Sequence, residues 1–134
     1  MYLFDTNCVS ELAAKVPHEG LSHRFFTVLS SDRFISAIVL QELRYGACLH
    51  PRPEEIWGKV EREILPYIRV VEFDESAALE AGRLQAFLKR VGKPIGGEDI
   101  QIAATAITRQ LILVTRNTRH FQNVPGLRLE DWFA

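Results

Sequence analysis

Three carboxylates lie where predicted strands give way to helices. Asp5 directly follows the apolar strand YLF, Glu42 lies one to two turns into the helix after the strand RFIS, and Asp99 lies in the first turn of a later helix. Asn117 lies just past another apolar strand, LILVT. Because ligands of parallel α/β sheets bind outside the carboxyl ends of the strands, we expect these four side chains at one edge of a sheet.

Grouped carboxylates repel one another, so a site without a counter-charge would force one of them to take up a proton. A hard divalent cation removes this conflict, and ligands that are all oxygen select Mg²⁺ or Mn²⁺ over zinc or copper. Such an ion turns bound water into a nucleophile and stabilises charge on a phosphate. The pattern therefore indicates hydrolysis of a phosphate ester or diester.

Asp99 carries the strongest single argument for such a site. Its helical face continues through Ile102, Ala103 and Ala106, so the face is predicted to be buried. A carboxylate at the head of a buried face is costly unless it is paired or bound to a cation. Each acid also has a structural explanation by itself: Asp5 as an N-cap, Asp99 as a charge at a helix N-terminus, and Glu42 as a surface residue.

Strands and helices alternate along the chain, which predicts an α/β fold with a central parallel sheet covered on both faces. The predicted strands are YLFD, RFIS, IRVVEF, LILVT and a short last one near LRLED. Thr6 and Asp74 are predicted to cap the helices that follow them. A helix through HEGLSHRFFTVLSS is predicted to bury one face, formed by Leu21, Phe25, Val28 and Leu29.

Composition limits the classes of function. The chain has 134 residues with a formal net charge of −1, so it has no overall field that would attract nucleic acid, and any such binding needs a local basic patch. It has the length of one domain, residues 1–134. Neither a membrane span nor a leader of basic then apolar residues is visible, so we expect a cytoplasmic protein.

The two cysteines, Cys8 and Cys48, are interpreted as small buried thiols rather than a disulfide. Neither they nor the four histidines show the spacing of a zinc site.

Four segments in order resemble the PIN-domain ribonucleases, and more narrowly the toxin subunits of VapBC-type toxin–antitoxin pairs. They are YLFDTNCVSEL, SAIVLQELRYGA, GGEDIQIAATAI and LVTRNTRHFQNVPGLRLEDW. The resemblance implies a three-layer α/β/α sandwich and an endoribonuclease that depends on Mg²⁺ or Mn²⁺. It also implies inhibition by a small antitoxin protein, a homodimer, and an RNA substrate such as tRNA.

The resemblance assigns roles by position. Asp5, Glu42 and Asp99 match the metal-binding acids of the family, whereas Asn117 stands near where many PIN domains have an aspartate. Asn117 is therefore expected to contribute through its amide oxygen or a bridging water. Glu98 is a weak substitute, because successive helical residues point about 100° apart. Thr6, Asn7 and Thr115 are expected to orient Asp5.

Basic residues near this edge suit an RNA substrate. Arg116, Arg119 and His120 crowd the segment around Asn117 and are predicted to hold phosphates. A second cluster of Lys89, Arg90 and Lys93 is interpreted as a solvated helix end.

Two other classes share parts of the pattern. FDTNCV resembles the nucleophile motif of haloacid dehalogenase-like phosphatases, but Asn7 replaces the second aspartate and the expected lysine is missing. A receiver-like Mg²⁺-binding signalling domain would offer Asp74 as phospho-acceptor, but Arg116 stands where a lysine is expected.

Overall fold

The computed structural model describes residues 1–133 and has a five-stranded, all-parallel sheet at its centre. The strands are β1 (Tyr2–Phe4), β2 (Arg33–Ser36), β3 (Arg69–Val71), β4 (Ile112–Val114) and β5 (Leu129–Glu130), in the order β3-β2-β1-β4-β5. The predicted α/β/α sandwich around a parallel sheet is confirmed. β1 is the middle strand, and Asp5 at its carboxyl end therefore lies at the centre of the edge.

Within residues 1–133, seven helices flank the sheet. They are α1 (Thr6–Leu12), α2 (Glu19–Thr27), α3 (Ala37–Leu49), α4 (Pro53–Glu63), α5 (Glu75–Arg90), α6 (Gly97–Thr108) and α7 (Thr118–Phe121). Short 3-10 turns at Ser30–Asp32 and Leu65–Tyr67 precede β2 and β3. None of these helices is long and apolar enough to cross a membrane, within the part of the chain that the structure describes.

Side-chain caps set where several helices begin. Asp74 caps α5 by accepting from the Ala77 N–H at 2.9 Å, as predicted. The prediction that Thr6 caps α1 is wrong, because Asp5 has the extended conformation of a cap and accepts from the Cys8 N–H. Thr6 is the first helical residue, which leaves its hydroxyl free to bond elsewhere.

The core is continuous between the sheet and its helices. Leu3, Phe4 and Leu113 on neighbouring strands are fully buried. The face of α6 that begins at Asp99 is buried at Ile102, Ala103 and Ala106, as predicted. Because this face is buried, α6 cannot rotate about its axis, and Asp99 stays fixed at the N-terminal end of the buried face.

Two burial predictions are wrong. Leu29 is 69% exposed, because α2 ends at Thr27 and the chain after it leaves the helical period. Cys48 is exposed near the end of α3, whereas Cys8 is buried and donates its S–H to the Val114 carbonyl at 3.3 Å. Burial, then the neighbouring Asp5 carboxylate, raises the pKa of the Cys8 thiol well above its usual range. Cys8 therefore packs as an inert core residue.

Candidate active site

Asp5 is held from two sides at the end of β1. Its Oδ1 accepts from the Cys8 N–H at 2.9 Å, and its Oδ2 accepts from the Thr115 hydroxyl at 2.5 Å. The residue is only 8% exposed. Asp5 therefore caps α1, and the same carboxylate lies at the carboxyl end of β1 where the sequence predicts a site. Thr115 orients it as predicted, whereas Asn7 points to solvent and Thr6 bonds to a different acid.

Glu42 lies in the second turn of α3 and is half-buried. Its Oε1 accepts from the Thr6 hydroxyl at 2.6 Å, which ties α3 to the start of α1. Burial raises the pKa of the Glu42 carboxyl above its usual value; Glu98 and Asp99 raise it further, against the opposing effect of the Thr6 hydrogen bond. Glu42 therefore sits in a field of negative charge that no described cation neutralises.

Asp99 lies in the first turn of α6, near the carboxylate of Glu42. Its Oδ2 is 2.7 Å from Nε2 of His120 on α7. The two side chains are 38% and 35% exposed, so the pair lies at the mouth of the site rather than in the core.

Asn117 occupies the position before α7 but makes no side-chain cap to that helix. Its backbone N–H donates to the Thr115 hydroxyl at 3.1 Å. The Asn117 side chain is exposed, so its amide can contact a ligand at the carboxyl edge of the sheet.

The acids therefore line one edge, but each is held by a different partner. Glu42 is close enough to Glu98 and Asp99 for their charges to act on it, while Asp5 is held through Thr115. Among residues 1–133 there is no group of three or more histidine, cysteine, aspartate or glutamate side chains already arranged to hold a metal ion. The donors are carboxylate oxygen atoms, which fits a hard cation in type.

Sequence reasoning undervalued two residues here. Glu98 precedes Asp99 on α6 and points at a different angle, as expected, but its carboxylate is close enough to Glu42 on α3 to raise the pKa of Glu42. His120 was grouped with phosphate-binding cations, yet its contact is with a carboxylate. Both contacts join residues of different elements, so local spacing carries no signal for them.

The two groups of basic residues have different surroundings. The Arg116 guanidinium lies 4.7 Å over the Phe133 ring beside the site, and Arg119 is exposed on α7. Lys89 and Arg90 end α5 in solvent, where they complement the helix dipole.

An apolar groove of about 700 Å³ runs between α1, α3 and α4 and reaches Glu42 at one end. Small residues keep it open, including Ala13, Gly46 and Ala47, and Leu43 and Val60 also line it. Lys15, Lys59 and Glu55 contribute charge to its lining. Glu42 therefore belongs both to the acidic site and to the lining of this apolar groove.

Comparison with known proteins gives a consistent result. The PIN domain family model matches residues 2–127. The tRNA(fMet)-specific endonuclease VapC of Salmonella typhimurium is 38% identical over 132 residues, which cover 98% of this chain and 97% of that protein. Ribonuclease VapC2 of Haemophilus influenzae is 36% identical over 131 residues, with coverage of 98% and 97%. The crystal structure of DNA-bound VapBC from Salmonella typhimurium has a TM-score of 0.89 to this fold, at 38% identity over 98% of this chain and 97% of that one.

Proposed function

The chain belongs to the PIN-domain family, and within it to the VapC ribonucleases, and we propose that its acidic edge cleaves RNA with the help of a divalent cation. The sequence-based assignment as a ribonuclease toxin is confirmed by this membership. The membership also removes the phosphatase and receiver alternatives. The observation that supports the site is the approach of the Glu98 and Asp99 carboxylates to the half-buried Glu42, whose pKa is raised first by burial and then by these two acids.

PIN-domain VapC nucleases generally depend on a divalent metal. We propose that Asp5, Glu42 and Asp99 hold Mg²⁺ or Mn²⁺ here, with Asn117 contributing its amide oxygen. When bound, such an ion activates a water and stabilises the charge of a phosphate. The described donors fit because they are oxygen atoms of acids whose charges act on one another at this edge.

Other residues of the chain prepare this edge. Thr115 and the Cys8 N–H hold Asp5, and Thr6 holds Glu42, so two of the three carboxylates are oriented before substrate arrives. Arg116 and Arg119 supply local positive charge for the RNA backbone, which a chain of net charge −1 otherwise lacks. The substrate proposed is a structured RNA, with tRNA as the first candidate because one relative is named as a tRNA(fMet)-specific endonuclease.

The test is cleavage of labelled tRNA with Mg²⁺ or Mn²⁺, and with EDTA. We expect cleavage by the wild type that EDTA stops, and its loss in Asp99→Asn and Glu42→Gln. Glu61→Gln is the matched control, because Glu61 is an exposed acid on α4 that does not line the acidic site. Full activity in Asp99→Asn, or in the presence of EDTA, would show that the acidic edge is not the nuclease site.

The antitoxin is proposed to occupy the apolar groove. The structural neighbours are VapBC complexes, so a protein partner is expected for this chain as well. The groove offers apolar surface that the chain itself leaves uncovered, and it leads to Glu42. An occupant of the groove would therefore reach the acidic site and block it.

Gly46 allows a direct test, because a Cβ at this helical position would meet no atom within 4 Å. We expect Gly46→Phe to fill the groove and weaken inhibition of RNA cleavage by the co-expressed antitoxin. Gly46→Ala is the control, since it stabilises α3 by about 0.5–1 kcal/mol without filling the groove. Equal inhibition of both variants would place the antitoxin elsewhere.

A homodimer, a single domain over residues 1–134 and a cytoplasmic location remain proposals. The family model spans nearly the whole chain, which supports one domain; Ala134 lies outside the described residues. On the segment around α4, Ile64 is buried in the core, and Trp57 is partly buried and packs beneath Arg44. Light scattering of the purified protein measures the dimer directly.

A further inference from the structure

We propose that His120 is a positioning residue that holds Asp99 in the orientation needed to bind the cation. The inference rests on the proposed function, because it concerns one of the acids assigned to the metal. It starts from the 2.7 Å contact between Nε2 of His120 and Oδ2 of Asp99. An ionised carboxylate can only accept hydrogen bonds, so the hydrogen lies on Nε2.

This contact fixes the role of the imidazole. A nitrogen that donates its hydrogen to Asp99 has no lone pair for a metal, so Nε2 is not a ligand while the bond is made. Among the hydrogen bonds of residues 1–133, only this one reaches the Asp99 carboxylate. His120 therefore restrains Oδ2 and leaves Oδ1 free to bind the ion, as outer partners of metal ligands commonly do.

The position of the imidazole is itself set by the fold. The next residue, Phe121, is 3% exposed and anchors α7 in the core, and its ring meets the imidazole edge-on at 5.2 Å between centroids. The His120 N–H donates to the Asn117 carbonyl at 3.1 Å. The ring is therefore held by the packing of α7 rather than by Asp99 alone.

The segment that carries His120 also holds Asp5, the buried acid of the site. The Thr115 hydroxyl donates to Asp5 and accepts from the Asn117 N–H, and the Asn117 carbonyl accepts from the His120 N–H. Hydrogen bonds of Thr115, Asn117 and His120 thus connect Asp5 to Asp99 through the backbone of residues 115–120. This segment sets the positions of two carboxylates that come from different elements, β1 and α6.

The test measures binding of Mn²⁺ alone, by electron paramagnetic resonance and by calorimetry, so that RNA cleavage is not the readout. We expect His120→Leu to weaken Mn²⁺ binding by about 10- to 100-fold, the usual cost of losing a partner of a metal ligand. His120→Gln should recover most of the affinity, because its amide N–H reaches the place of Nε2–H. Gln122→Leu makes a similar polar-to-apolar change on an exposed side chain at the end of α7 and should bind as wild type.

Melting curves in EDTA verify that each variant is folded. Wild-type affinity in His120→Leu would overturn the inference while leaving the metal site intact, provided that Asp99→Asn loses binding. Failure of His120→Gln to recover affinity would overturn it as well, because the imidazole itself, and not its N–H, would then be required. If the wild type binds no Mn²⁺, the proposed metal site fails and the inference falls with it.

Discussion

Replacing Thr115 by valine removes one hydroxyl from the centre of the site and keeps the shape of the side chain. Thr115 is fully buried, and its hydroxyl is the partner of both the Asp5 carboxylate and the Asn117 N–H. Hydrogen bonds to charged groups contribute about 1.5–3 kcal/mol to stability. We therefore expect the free energy of unfolding of the metal-free protein to fall by roughly 2 kcal/mol.

This loss corresponds to a measurable shift in melting temperature. An unfolding entropy of about 2.1 cal/mol/K per residue gives roughly 0.28 kcal/mol/K for 134 residues, so Thr115→Val should lower Tm by about 7 °C. Thr115→Ser is the matched control: it keeps the hydroxyl and removes one methyl group, at a cost of about 1 kcal/mol. The serine variant should therefore melt between wild type and valine.

The assay is thermal unfolding followed by circular dichroism in EDTA, with RNA cleavage in Mn²⁺ measured on the same samples. Cleavage should fall much further in Thr115→Val than in Thr115→Ser, because only valine releases the Asp5 carboxylate. A valine variant as stable as wild type, or more stable than serine, would refute the reasoning. It would mean that the hydrogen bond from Thr115 to Asp5 contributes nothing to the free energy of unfolding.

Three further predictions concern the other site residues. Asp5→Asn should keep the cap of α1 and melt close to wild type, whereas Asp5→Ala should lose about 3 kcal/mol, because it removes the cap and the hydrogen bond from Thr115 together. Both variants should lose RNA cleavage, and an active Asp5→Asn variant would leave Asp5 with the capping role alone. Because the pKa of Glu42 is raised on folding, the metal-free protein should lose stability as pH rises from the unfolded pKa through the folded one. Glu42→Gln should flatten this part of the Tm–pH curve measured in EDTA and melt higher than wild type at neutral pH; an unchanged curve would contradict the charge argument. Asn117→Asp should move half-maximal RNA cleavage to a lower Mn²⁺ concentration, since a carboxylate attracts a divalent cation more strongly than an amide does. An unchanged Mn²⁺ dependence would show that Asn117 does not contribute to metal binding.

Periodicity and turn chemistry predicted the elements of this fold because those signals are local. The capping aspartate at Asp74 and the small-residue face of α6 are both read from residues within a few positions of each other. Leu29 shows the limit of the same reasoning. It continues the apolar period of α2 in sequence, but the helix ends two residues earlier and the side chain is exposed.

The placement of the three acids at one edge could be predicted from the sequence, but their contacts could not. Asp5, Glu42 and Asp99 follow from the rule that strand ends converge, which needs only the order of the elements. The contacts of Thr6 with Glu42 and of His120 with Asp99 depend on how α1 meets α3 and how α7 meets α6. Those orientations are set by packing of the whole core, so no short segment reveals them.

The order of the strands has a consequence for when activity can appear during synthesis. β1 is made first but is paired on one side with β4, where Tyr2 lies opposite Ile112. A nascent chain that has emerged only as far as α5 has Asp5 and Glu42 but neither Asp99 nor the Thr115 hydroxyl that orients Asp5. Because such long-range pairing completes only when the later partner is available, a nascent chain that ends at α5 lacks the full set of proposed metal ligands and the fixed orientation of Asp5.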